Sequence, residues 1–86
     1  MAKILRANGD KEDIEYEGPK EKLSLEQIQK TIDGYFEVIS VPNCHNILLV
    51  DEEGCLKDKP INVLASTLAQ REIVGDVILC THLEMV

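Results

Sequence analysis

Lys57, Lys59, Asn62 and Ser66 place two ammonium groups, an amide and a hydroxyl along one short run, "KDKPINVLAS". Pro60 precedes Asn62, a natural N-cap for a helix over residues 61–72. Free N–H groups at a helix start, an amide side chain and nearby cations suit a phosphate or a nucleobase edge. The plainer reading is an N-cap with incidental lysines. Tyr35 offers a ring for base stacking. Glu37 offers a carboxylate to a base or ribose, or else lies on the wet face of an apolar strand.

The remaining chemistry is weaker. Asp51, Glu52 and Glu53 crowd one turn, where paired carboxylates can do acid–base work or hold a cation. The alternating ligands of a calcium loop are missing, so a solvated hairpin turn is the plainer reading. Cys44-His45, Cys55, Cys80 and His82 contain no C-x-x-C pair, and C-x-H spacing alone is a weak zinc signal. Cys44 and His45, as strand neighbours, point to opposite faces and do not form a nucleophile–base pair. Cys80, at the end of an apolar strand, reads as a small core hydrophobe. Neither catalytic residues, metal ligands nor a cofactor are expected.

Elements of secondary structure must hold these residues. "AKILRA" (2–7) and "DIEYE" (13–17) suit two strands around the Asn8-Gly9 turn, with Ile14 and Tyr16 on one side. "LSLEQIQKTIDG" (23–34) is punctuated as a helix. Ser24 and Gln27 form a capping box, Leu23 and Ile28 a hydrophobic staple, and Gly34 the left-handed stop. Leu25, Ile28 and Ile32 share a face. "YFEVISV" is a strand ended by Pro42-Asn43. "NILLV" is apolar on both faces, which suits a central strand. "DEEG" reads as a hairpin turn and "CLKD" as its return, pairing Val50 with Cys55 and Leu48 with Lys57. After the second helix, "VGDVILC" reads as a last strand, introduced by Gly75-Asp76. The expectation is an α+β fold, ββαβββαβ, with two helices on a mostly antiparallel sheet of about five to six strands.

The chain of 86 residues suits a single domain over 1–86: an N-terminal hairpin (1–18) and a core (23–80). Hydrophobic residues make up 44% and aromatics 3%, so Ile, Leu and Val carry the packing. A core this small has a thin margin, for which oligomerisation is a common remedy. Nine Lys and Arg against sixteen Asp and Glu give a net charge of -7, which argues against a nucleic-acid groove. A local anion site is still compatible with that total. With no signal peptide and no membrane-length apolar run, a cytoplasmic protein is expected. Three cysteines do not make a disulfide framework.

"GYFEVISV", "LLVDEEGCLKDKPINVLAS" and "IVGDVIL" together resemble a family of small phage and mobile-element proteins known as a domain of unknown function. The matching residues are Gly34, Tyr35, Glu37, Asp51 to Gly54, Asn62, Ala65, Gly75 and Asp76, within residues 23–80. Asp51 stands where the family pattern often has Asn. The resemblance implies a phage accessory protein acting in the host cytoplasm against bacterial immunity. One such role is a sponge that binds a cyclic nucleotide signal without cleaving it. That role needs no catalytic group and a pocket that a homo-oligomer can complete. Tyr35, Glu37, Lys57, Lys59, Asn62 and Ser66 are its expected ligand contacts. The alternatives are an inhibitor masking a basic host enzyme with its acidic surface, and a small hydrolase using Glu37 or the 51–53 acids with a metal.

Overall fold

A computed structural model describes residues 2–85. Five strands form one antiparallel sheet: β1 (Lys3–Leu5), β2 (Lys11–Asp13), β3 (Phe36–Ser40), β4 (Asn46–Asp51) and β5 (Val77–Thr81). Their spatial order is β2-β1-β5-β4-β3. Helix α1 (Leu25–Ile32) lies between β2 and β3 in the chain, and α2 (Val63–Ala69) between β4 and β5. The α+β expectation holds, with five strands.

Strand alternation divides the apolar residues into two cores. Ile47, Leu49, Ile78 and Cys80 meet α1 through Ile28 and Ile32. Leu48, Val50, Val77 and Ile39 meet α2 through Ala65 and Ala69. The two helices therefore cover opposite faces of the sheet. This is why "ILLV" has no polar position: β4 is packed from both sides and paired by β3 and β5.

The ends of α1 follow local chemistry. Ser24 Oγ accepts the Gln27 N–H at 3.0 Å, and Gln27 Oε1 accepts the Ser24 N–H at 3.2 Å. Leu23 and Ile28 are fully buried together, so the staple forms. Leu25 is half exposed and sits off the core face. The left-handed residue is Asp33 (φ 59°, ψ 52°) in place of Gly34. Gly34 is required for a different reason: a Cβ there would lie 2.6 Å from Lys57 Nζ and 3.0 Å from both Asp51 carboxylate oxygens.

Two expected strands move or vanish. The second strand is Lys11–Asp13, earlier than residues 13–17. The turn closes quickly, since the Gly9 N–H donates to Arg6 O and Asn8 Oδ1 accepts the Asp10 N–H. Cross-strand pairs Lys3–Asp13 and Arg6–Glu12 then hold the register. Ile14 and Tyr16 leave the sheet, yet both pack on the α1-side core as their alternation required. The return strand "CLKD" does not form. Val50 pairs with Glu37, and Leu48 with Ile39 and Leu79. Strand β5 occupies the neighbour position that the return would have needed, and residues 52–58 wrap as turns. The topology is ββαββαβ.

Asn62 caps α2 as expected and does more. Its Oδ1 accepts the Ala65 N–H at 3.0 Å, while Nδ2 donates to Leu5 O and Gly75 O, both at 2.8 Å. One fully buried side chain thus ties the helix start to β1 and to the entry of β5. Ser24→Ala should cost about 1 kcal/mol, the value of a cap. Asn62→Ala should cost about 3 kcal/mol or more, because two buried carbonyls also lose their donors. Urea denaturation of the two variants measures the difference.

Candidate functional site

The short loop between β4 and α2 carries most of the charge near the nominated residues, and its centre is Asp51. The Asp51 side chain is 1% exposed. Lys57 Nζ and Lys59 Nζ both reach its Oδ2 at 2.8 Å, and the Glu53 N–H donates to Oδ1 at 2.9 Å. Each lysine also caps α1: Lys57 donates to Asp33 O at 2.9 Å and Lys59 to Ile32 O at 2.6 Å. Cations at a helix C-terminus satisfy its free carbonyls and oppose its dipole. Burial would push the Asp51 carboxyl up. The lysine hydrogen bonds and the Glu53 amide outweigh it and bring the pKa from 3.8 to about 2. The same pairing with Asp51 raises Lys57. A carboxylate held ionised between two ammonium groups is a clamp and is ill suited to proton transfer at neutral pH.

The six nominated residues do not converge. Lys57 and Lys59 serve Asp51 and α1. The hydrogen-bonding groups of Asn62 are engaged inside the chain. Ser66 Oγ accepts the Ile73 N–H at 2.8 Å and donates to Ile73 O at 3.1 Å, closing the exit of α2. Only Tyr35 and Glu37 are free on the surface, and both belong to the β3 edge. Asp51 itself is a correction to the solvated-turn reading: Glu52 and Glu53 face water, but Asp51 is buried. Its signal was an acid ending a buried strand, with lysines six and eight residues later.

Two polar hollows flank Thr31 on the α1 side. One of about 260 Å³ is bounded by Lys59, Pro60 and Gly75, with the carboxylates of Asp33 and Asp76 on its wall. The other, of about 370 Å³, lies between α1 and the β1–β2 hairpin and is lined by Arg6, Gln27, Lys30 and Glu17. Arg6 was not nominated from sequence. It bridges Glu12 (2.7 and 3.0 Å) and Asp76 (2.9 Å), which raise its pKa further. On the α2 side, Leu5, Leu64, Leu68 and Leu79 line an apolar groove rimmed by Lys3 and Lys11.

Among the described residues, no three of His, Cys, Asp and Glu gather into a metal-holding group. Cys44 and His45 lie in the turn between β3 and β4, and Cys44 Sγ points back to Val41 O. Cys44 and Cys55 are exposed free thiols. Burial pushes the Cys80 thiol up to about 12. No helix of the described residues is long and apolar enough to cross a membrane.

Two outcomes follow from these environments. A depressed carboxyl pKa stabilises the fold above its unfolded value and loses that effect as pH falls. Stability should therefore be flat near neutrality and fall by about 2 kcal/mol between about pH 5 and pH 2 through Asp51. Asp51→Asn should abolish that acid limb and cost about 3–5 kcal/mol at pH 7, because it leaves Lys59 uncompensated. Denaturant melts across pH read both effects. A thiol reagent at pH 8 should label Cys44 and Cys55 in the folded protein and Cys80 only after unfolding, as read by intact mass.

No curated protein and no solved structure matches the chain significantly. One family model does match, over residues 2–84, and takes in the N-terminal hairpin as well as the core. Its description is "Domain of unknown function (DUF3846)", and on a match of that extent the chain belongs to this family.

Proposed function

We propose that this protein is a non-enzymatic binding protein that sequesters its target, and that the target is a protein whose basic surface it covers. The charge balance left at the surface carries this reading, since among the described residues four of the nine Lys and Arg side chains are paired with carboxylates within the chain. Lys57 and Lys59 are bound to Asp51, Lys3 to Asp13, and Arg6 to Glu12 and Asp76. The chain carries -7 overall, while Glu21, Glu26, Asp33, Glu52, Glu53 and Asp58 face water. Such a surface repels polyanions and attracts a basic groove. In the phage-type, counter-defence setting that the resemblance suggests, the partner is a host defence or DNA-processing enzyme in the cytoplasm. Its own groove for nucleic acid supplies the positive charge.

A second reading, the cyclic nucleotide sponge, has one observation in its favour. The hollow beside Arg6, Lys30, Gln27 and Thr31 holds about 370 Å³, within the range of small-ligand sites. Glu17 on its wall and the two carboxylates on Arg6 weaken its pull on a phosphate.

The test pairs two measurements. The tagged protein, incubated with host extract, should retain a basic partner at about 50 mM salt and release it at about 500 mM, as screening shortens the reach of surface charge. Cyclic di- and trinucleotides should leave the melting temperature unchanged. A rise of about 10 °C or more without turnover would replace this reading with the sponge, since saturating ligand adds several kcal/mol to a small domain. Product formation abolished by a chelator would replace both with the hydrolase.

A further inference from the structure

The two edges of the sheet are built differently. The outer strand β2 is three residues long, and all three, Lys11, Glu12 and Asp13, are charged and exposed. That is the usual protection of an edge against further pairing. The opposite edge, β3, is five residues long and reads "FEVIS". Its single charge, Glu37, projects from a face of the sheet and does not guard the edge.

The register decides which backbone groups of β3 are free. Val41 donates to Asn46 O and Glu52 to Tyr35 O, both at 3.1 Å. These are hydrogen-bonded pairs, so in the β3–β4 ladder the pairs Ile39–Leu48 and Glu37–Val50 are hydrogen-bonded too. Phe36, Val38 and Ser40 then lie at non-bonded positions, and their N–H and C=O groups point away from the sheet. Among the described residues, no backbone or side-chain group bonds to them on that side. These three positions are symmetric about Val38.

We infer that β3 is a self-pairing edge, and that two copies of this chain join through it about a two-fold axis at Val38, making one continuous ten-stranded antiparallel sheet. Val38 faces the second copy's Val38, and Phe36 faces its Ser40. Every outward N–H on one copy meets an outward C=O on the other. On the α1 side, Val38, 42% exposed in the single chain, packs against its mate. On the α2 side, Glu37 lies opposite the second copy's Ile39, which keeps the two Glu37 carboxylates diagonal. A foreign strand lacks this built-in match of positions, and a second copy has it by symmetry. Since each copy carries -7, their association tightens with salt. Binding of a basic partner loosens with salt, so the two ideas fail separately.

The experiment is sedimentation equilibrium with amide hydrogen exchange on the full chain at about 0.15 M salt. The expected mass is twice the 9.6 kDa of one chain, with the amides of Phe36, Val38 and Ser40 slowed as concentration rises. Val38→Pro removes an outward donor and spares the ladder to β4. It should weaken association about 30-fold or more. Val38→Lys, which keeps its N–H but places two charges face to face, should do the same. A single-chain mass at several hundred micromolar would overturn the proposal. So would a dimer in which those three amides exchange freely, or a Val38→Lys dimer of unchanged strength.

Discussion

One carboxylate organises this molecule. Asp51 closes a strand packed on both faces, and its side chain has almost no access to water. An ion in that position needs opposite charge and hydrogen bonds in good geometry. Lys57 and Lys59 supply both, and because each also donates to a C-terminal carbonyl of α1, the same pair orients the helix on the sheet. Through the two lysines, strand β4, the loop at residues 57–59 and the end of α1 are tied together. Gly34 completes the arrangement by being small, since any side chain there would collide with the ammonium and carboxylate groups. A neutral amide at this position would leave the two lysines without a counter-charge. Asp51 matches their charge.

The cost of this internal order falls on the surface. Lys57 and Lys59, which would have met an anionic guest, are turned to Asp51, and Arg6 is held between two acids. The free carboxylates stay outside. With sixteen acidic against nine basic residues the protein projects a net negative field, and that field acts at distances where individual contacts do not. The family shared by residues 2–84 does not name a partner, so the electrostatics of the fold carry the functional argument.

Local signals were legible in the sequence. The capping box at Ser24 and Gln27, the cap at Asn62 and the two-sided burial of "ILLV" each depend on residues a few positions apart, and each appears as read. Long-range choices were not legible. "CLKD" has the look of a returning strand, but whether it pairs depends on β5, which begins at Val77 and takes that place. Asp51 shared its turn with Glu52 and Glu53, and composition cannot tell which of three acids lies under two lysines. Asn62 was recognised as a cap. Its second role, bonding Leu5 O and Gly75 O, depends on segments 57 and 13 residues away. The candidate site failed to converge for the same reason: its polar groups were chosen by type, and the fold had already committed them to one another.

Strand β5 lies between β1 and β4, yet among the described residues it is the last of the five in sequence. During synthesis the hairpins β1–β2 and β3–β4 leave the ribosome early, each with an unfilled inner edge. Until residues 77–81 arrive, the two hairpins share no strand, and one core lacks Val77 and the other Ile78 and Cys80. The vulnerable species for this chain is therefore the nascent one, where chaperones and proteases act before the middle strand locks the two halves together.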